Sequence, residues 1–146
     1  MLKHEKKYTL LLAIVLITTV PACITLRKTD RKILSNFKKE GLQAQVNTFI
    51  FEDKTLRYVL SKEFNKELST VLFIHGAPGS NSDYEDYLTD KDLNQKANLI
   101  SVDRLGYGYS DFGNAQTSIQ KQAQSIQKLM DSLDTPNIIL VGWSFG

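Results

Sequence analysis

Five consecutive residues, Gly142-Trp143-Ser144-Phe145-Gly146, carry the strongest chemical signal in this chain. They follow the apolar run Ile138-Ile139-Leu140-Val141 and read G-x-S-x-G. A serine hydroxyl is barely ionised at neutral pH. It attacks a carbonyl carbon only when a base removes its proton and hydrogen-bond donors hold the oxyanion that forms. A strand that turns sharply at a serine lifts the hydroxyl clear of the sheet. The residues two before and two after must then be small, and Gly142 and Gly146 satisfy this. A helix opening just after the serine adds its positive dipole end and a free N–H.

Two further loops follow apolar runs. In His75-Gly76-Ala77-Pro78-Gly79-Ser80 the glycines let main chain approach a ligand and expose N–H groups, which suits half of an oxyanion hole. A plain Gly-Pro turn between strand and helix is the bland alternative. The segment Asp103-Arg104-Leu105-Gly106-Tyr107-Gly108-Tyr109-Ser110-Asp111 reads as a tight irregular loop. It lacks G-x-G-x-x-G and no helix opens on it, so it is not a dinucleotide site. It reads as scaffold beside the site, with Arg104 and Tyr107 as candidates to touch substrate.

These loops need elements to hold them. Residues 46–51 and 55–60 are rich in β-formers, and Glu52-Asp53-Lys54 between them suits a hairpin loop. Residues 70–74, 99–102 and 137–141 are apolar runs of the kind buried on both faces of a parallel sheet. Ser82 and Glu85 have capping-box spacing for a helix whose face is Tyr84, Tyr87 and Leu88. Thr117 and Gln120 do the same for a helix over 117–133, where Ile119, Ala123, Ile126, Met130 and Leu133 share one side. Strands alternating with helices predict an α/β fold with a mostly parallel sheet. Sites in such sheets sit at the carboxyl ends of strands, where the three loops must converge.

Composition narrows the rest. The chain has 146 residues and a net charge of +2, enough for one small domain and too little charge, without a basic aromatic patch, for nucleic acid. One cysteine, Cys23, rules out an internal disulfide, and with two scattered histidines it makes no metal site. No cofactor is called for. Lys3, Lys6 and Lys7 precede an uncharged stretch, residues 8–26, with a strongly apolar core at 10–17. That is the layout of a signal peptide or membrane anchor over 1–22. Val20-Pro21-Ala22-Cys23 resembles a bacterial lipobox, which makes Cys23 a lipidation candidate. A lipoprotein, an uncleaved anchor and a plain secretory signal all fit. Arg27, Lys28, Arg31 and Lys32 on the far side oppose export, yet the exported face of a bacterial envelope is favoured. Residues 23–41 read as a charged tether with room for a short amphipathic helix around Ile33, Leu34 and Phe37, a solvated linker being favoured over contact of its basic charge with acidic lipid headgroups. The globular part is then 42–146.

In this order and on these elements, the three motifs resemble the α/β-hydrolase superfamily. HGAPGS is similar to its oxyanion loop, DRLGYGYSD to its loop after the next parallel strand, and GWSFG to its nucleophile elbow. The likeness runs from about residue 45 to 146, the N-terminal half of such a domain, ending after the strand that leads to the elbow. It implies Ser144 as nucleophile, Ala77 and Phe145 as oxyanion N–H donors, and a structural His75. It implies a serine hydrolase acting on a small-molecule ester or amide. A serine at the elbow argues against the dehalogenase branch, whose nucleophile is an aspartate. The family's acid and histidine follow the nucleophile in sequence. These 146 residues are therefore expected to be inactive alone, and a non-catalytic truncated product or binding relic of the fold is the other reading. Oligomeric state and the identity of the substrate are not legible.

Overall fold

The computed structural model describes residues 27–135 and 137–146. The export signal or anchor and Cys23 lie outside the described residues. Helix α1 (Asp30–Lys39) leads into β1 (Gln45–Phe51) and β2 (Lys54–Leu60). Then come β3 (Thr70–Ile74), a 3₁₀ turn (Asn81–Tyr84), α2 (Glu85–Leu88), α3 (Lys91–Lys96) and β4 (Asn98–Asp103). Helix α4 (Ile119–Leu133) and β5 (Ile138–Gly142) complete the order. No helix among the described residues is long and apolar enough to cross a membrane.

The five strands form one sheet in the order β1-β2-β4-β3-β5. Strands β4, β3 and β5 are parallel, and the β1–β2 hairpin joins antiparallel to β4. Every residue of the central strand β4 is buried, as its apolar run requires. One face of the sheet packs on α4 through Leu56, Leu72, Ile100, Val102, Ile126, Leu129 and Met130. The other face holds Val59, Phe73, Leu99, Tyr84 and Leu88, closed by α1.

Helix α1 is the short amphipathic helix expected around Ile33 and Phe37, but it is docked on the sheet where a solvated linker would be free. Ile33 and Phe37, four apart, fall on one side of an otherwise charged helix and are buried in that second core. Thr29 caps the helix and Asp30 opens it. The caps elsewhere also differ from the pattern in the sequence. Ser80, not Ser82, precedes the first turn after β3, and its N–H donates to Asp83 Oδ2 at 3.3 Å. Ser118, not Thr117, caps α4, and its hydroxyl accepts from Lys121 N–H. The buried side of α4 includes Leu129, while Ile119 at its first turn stays exposed.

Candidate active site

The chain turns at Ser144 with a φ of 57°, a left-handed conformation that a non-glycine residue adopts only when its surroundings hold it there. Steric room decides the flanking residues. A Cβ added to Gly142 would lie 2.6 Å from the carbonyl oxygen of Gly146, and one added to Gly146 would run into the carbonyl oxygen of Ile74. Both glycines are required by the tightness of the turn. The Gly146 N–H donates to the Trp143 carbonyl at 2.9 Å and closes it.

The loop after β3 lies against this elbow. A Cβ on Gly76 would sit 3.0 Å from Ser144 Cβ and from the carbonyl oxygen of Trp143. The Ala77–Pro78 peptide bond in this loop is cis. Arg104, the first residue after β4, joins the two loops. Its Nη2 donates to the Gly76 carbonyl and its Nη1 to the Phe145 carbonyl, each at 3.0 Å. Its guanidinium also lies 4.5 Å from the Tyr107 ring centroid. In a trans peptide the C=O and N–H point in opposite directions. Holding the Gly76 carbonyl therefore aims the N–H of Ala77 away from Arg104. Among the described residues, neither the Ala77 N–H nor the Phe145 N–H has a hydrogen-bond acceptor.

His75 is fully buried, and both of its ring nitrogens are engaged. Nδ1–H donates to the Gly76 carbonyl at 2.7 Å, and Nε2 accepts from the Arg104 backbone N–H at 3.0 Å. That pattern needs the neutral ring, and burial lowers its pKa below the ordinary value. Tyr107 packs edge-on against it. His75 is thus a structural part of the loop and not a base for Ser144.

Asp103 anchors the third loop. It is fully buried, accepts from the N–H of Asn81 at 2.7 Å and of Tyr109 at 3.0 Å, and pairs with Arg57 Nη1 at 2.8 Å. Only glycine fits at 108, because a Cβ there would overlap the Asp103 carboxylate. The scaffold reading of this loop matches these contacts. A cavity of about 560 Å³ lies beside Ser144, walled by Ile74, Tyr107, Ile119, Ala123, Ile126 and Phe145 together with Arg104, Gln116, Thr117 and Gln122. Among the described residues no cluster of His, Cys, Asp or Glu could hold a metal ion.

Residues 69–146 match the family model for the alpha/beta hydrolase fold. The chain belongs to the α/β-hydrolase fold family. Solved structures carry the same architecture. A haloalkane dehalogenase loop variant from Bradyrhizobium elkanii is 22% identical with a TM-score of 0.59, over 70% of this chain and 33% of that one. An epoxide hydrolase from Vigna radiata is 21% identical with a TM-score of 0.56, over 69% of this chain and 32% of that one. A membrane phospholipase A, a bacterial virulence factor, is 17% identical with a TM-score of 0.62, over 96% of this chain and 44% of that one. This α/β-hydrolase chain thus spans 32% to 44% of the length of those proteins. No curated protein sequence matches it.

The structure of this hydrolase-fold chain brings Ser144, Phe145, Gly142, Gly146 and Ala77 together at the carboxyl ends of β3 and β5. Tyr107 reaches the cavity wall, as a substrate contact would. Arg104 lines the same cavity, although it is buried and both its terminal nitrogens are committed to main chain. Its bridging role was missed from sequence. The available signal was an arginine placed directly after a largely apolar strand whose last residue is Asp103, where a charge survives only with partners.

Proposed function

We propose that Ser144 is the nucleophile of a serine hydrolase that cleaves an ester or amide bond, with the N–H groups of Ala77 and Phe145 holding the oxyanion. In that reaction the Ser144 oxygen bonds to the substrate carbonyl carbon and its proton passes to a base. The carbonyl reforms as the alcohol or amine leaves with that proton, and water then releases the acyl group. The observation that carries the reading is the left-handed φ at an exposed serine, closing a parallel strand beside two uncommitted N–H groups. Serine at this position separates the chain from an aspartate-nucleophile dehalogenase. The N-terminal stretch with its lipobox-like Cys23 supports a second element, attachment to a bacterial envelope membrane on its exported side.

The only histidine among the described residues is His75, which is occupied as a hydrogen-bonded scaffold. The non-catalytic reading of these 146 residues rests on that fact. Two measurements separate the readings. Purified 1–146 is expected to give neither turnover of activated esters nor stoichiometric fluorophosphonate labelling of Ser144, and labelling would show that a base is present after all. Sequencing the coding DNA onward from Gly146 is the second. A frame that continues with an acid and then a histidine supports the enzyme, provided that S144A abolishes probe labelling of its product. A stop codon there supports the non-catalytic product.

A further inference from the structure

Three contacts fix where the chain enters the domain. The Arg27 guanidinium lies 4.3 Å from the Tyr109 ring centroid and 4.2 Å from that of Phe112, and it donates to the Gly108 carbonyl. Lys28 Nζ is 3.0 Å from Glu85 Oε2. Asp30 Oδ1 accepts from Arg57 Nη2 at 2.5 Å, and Arg57 is the register partner of Asp103, the last residue of β4. Tyr109, Phe112 and Gly108 sit in the loop after β4, and Glu85 opens α2 behind the loop from β3. All three contacts are therefore at the carboxyl end of the parallel strands, the end that carries Ser144. The uncharged stretch 8–26 ends one residue before Arg27, and Cys23 lies four residues before it. Whichever of the two meets a membrane, the rim of the site is tied next to it.

The rim has the chemistry of an interfacial surface. Phe112 is 63% exposed and Ile119 68% exposed, and Tyr109 is partly exposed. Arg27 packs on the Tyr109 and Phe112 rings, and the exposed cations Lys28, Arg31 and Lys32 follow it directly in the chain. Aromatic rings with adjacent cations suit the level of lipid headgroups, where rings sit in the boundary and cations meet anionic phosphates. At the same end of the sheet lies the mostly apolar cavity at Ser144, with Ile119 in its wall.

We propose that this end of the sheet faces the bilayer and that the substrate is an acyl ester of a membrane lipid, whose acyl chain enters the cavity beside Ser144. The inference rests on the reading of Ser144 as nucleophile and of the N-terminus as a membrane attachment.

Tryptophan quenching tests it in the full 146-residue chain, because Trp143 is the sole tryptophan. Three single-tryptophan variants, W143F/F112W, W143F/F145W and W143F/K66W, are bound to phosphatidylglycerol–phosphatidylcholine vesicles whose acyl chains carry bromine. Phe112 reports the rim, Phe145 the cavity wall, and Lys66, ion-paired with Asp134 beyond the other end of the sheet, the far side. Flotation and near-ultraviolet circular dichroism establish binding and folding first. The rim and cavity reporters are expected to be quenched at least about threefold more than the far one, as burial at the interface requires. A chain that does not float overturns the attachment reading and this inference with it. A floating chain in which K66W is quenched as strongly as F112W overturns the orientation alone. Quenching at the rim but not at F145W overturns the entry of the acyl chain.

Discussion

Arg104 Nη1 donates to the carbonyl oxygen of Phe145 across 3.0 Å, tying the loop after β4 to the turn that carries the nucleophile candidate. Its other terminal nitrogen holds Gly76, so one buried cation sets the spacing of two loops that are far apart in sequence. Hydrogen bonds to a charged group stabilise by about 1.5–3 kcal/mol each. R104A is expected to lower the unfolding free energy by about 3 kcal/mol or more, read by urea denaturation. R104K keeps the charge but loses the planar fork, and should recover only part of that loss. If R104K were as stable as the parent, the two-pronged bridge would not matter.

His75 gives a pH signature. Burial holds its folded pKa below the ordinary value of 6.5, so the neutral ring is favoured in the folded state. As pH falls below about 6.5 the unfolded chain takes up a proton that the folded chain resists, and stability declines. Above that range its contribution is constant. H75Q, which has no titrating ring, is expected to be less stable at pH 7 yet flatter between about pH 5 and 6.5. Equal slopes for the two proteins would remove His75 as the source.

Gly146 has no room for a methyl group, since its Cβ position meets the Ile74 carbonyl. G146A is expected to cost about 2 kcal/mol or more through forced backbone movement. Gly146 does not have a positive φ, so the cost comes from overlap, whereas Gly113→Ala, at φ 85° with open space around it, shows the effect of conformation alone. Thermal unfolding of both variants separates overlap from conformational strain.

Phe37 distinguishes a docked helix from a tether. It is 1% exposed, packed with Ile33 in the core beneath α1. F37A is expected to destabilise the domain by about 3–5 kcal/mol, whereas a free tether would leave its melting temperature unmoved. Differential scanning calorimetry reads the difference.

Much of this was legible in the residues. The hairpin at 52–54, the parallel strands ending at the three loops, the long helix before β5 and the glycine-flanked serine all come from local patterns. Each is an apolar period, a turn residue or a steric need between near neighbours in sequence. The less visible parts fail for one physical reason. Ile33 and Phe37 look like two apolar residues in a charged stretch until a sheet face is present to bury them. The first turn after β3 has serines at both 80 and 82, and the choice between them depends on how Asn81 and Asp83 meet neighbouring groups.

The sequence by itself determined the order of elements, the sharp turn at Ser144 and the glycines that permit it, because backbone sterics and side-chain periodicity act over a few residues. Tertiary structure decided that His75 is an occupied scaffold and Arg104 a bridge. It also decided that residues 27–30 sit at the end of the sheet bearing Ser144. Those assignments depend on partners far away in sequence, such as Gly76 and Phe145 for Arg104, 28 and 41 residues off, and Gly108 for Arg27, 81 residues off. A buried charge or imidazole takes its role from whichever main-chain groups folding brings to it, and no local pattern encodes which those will be.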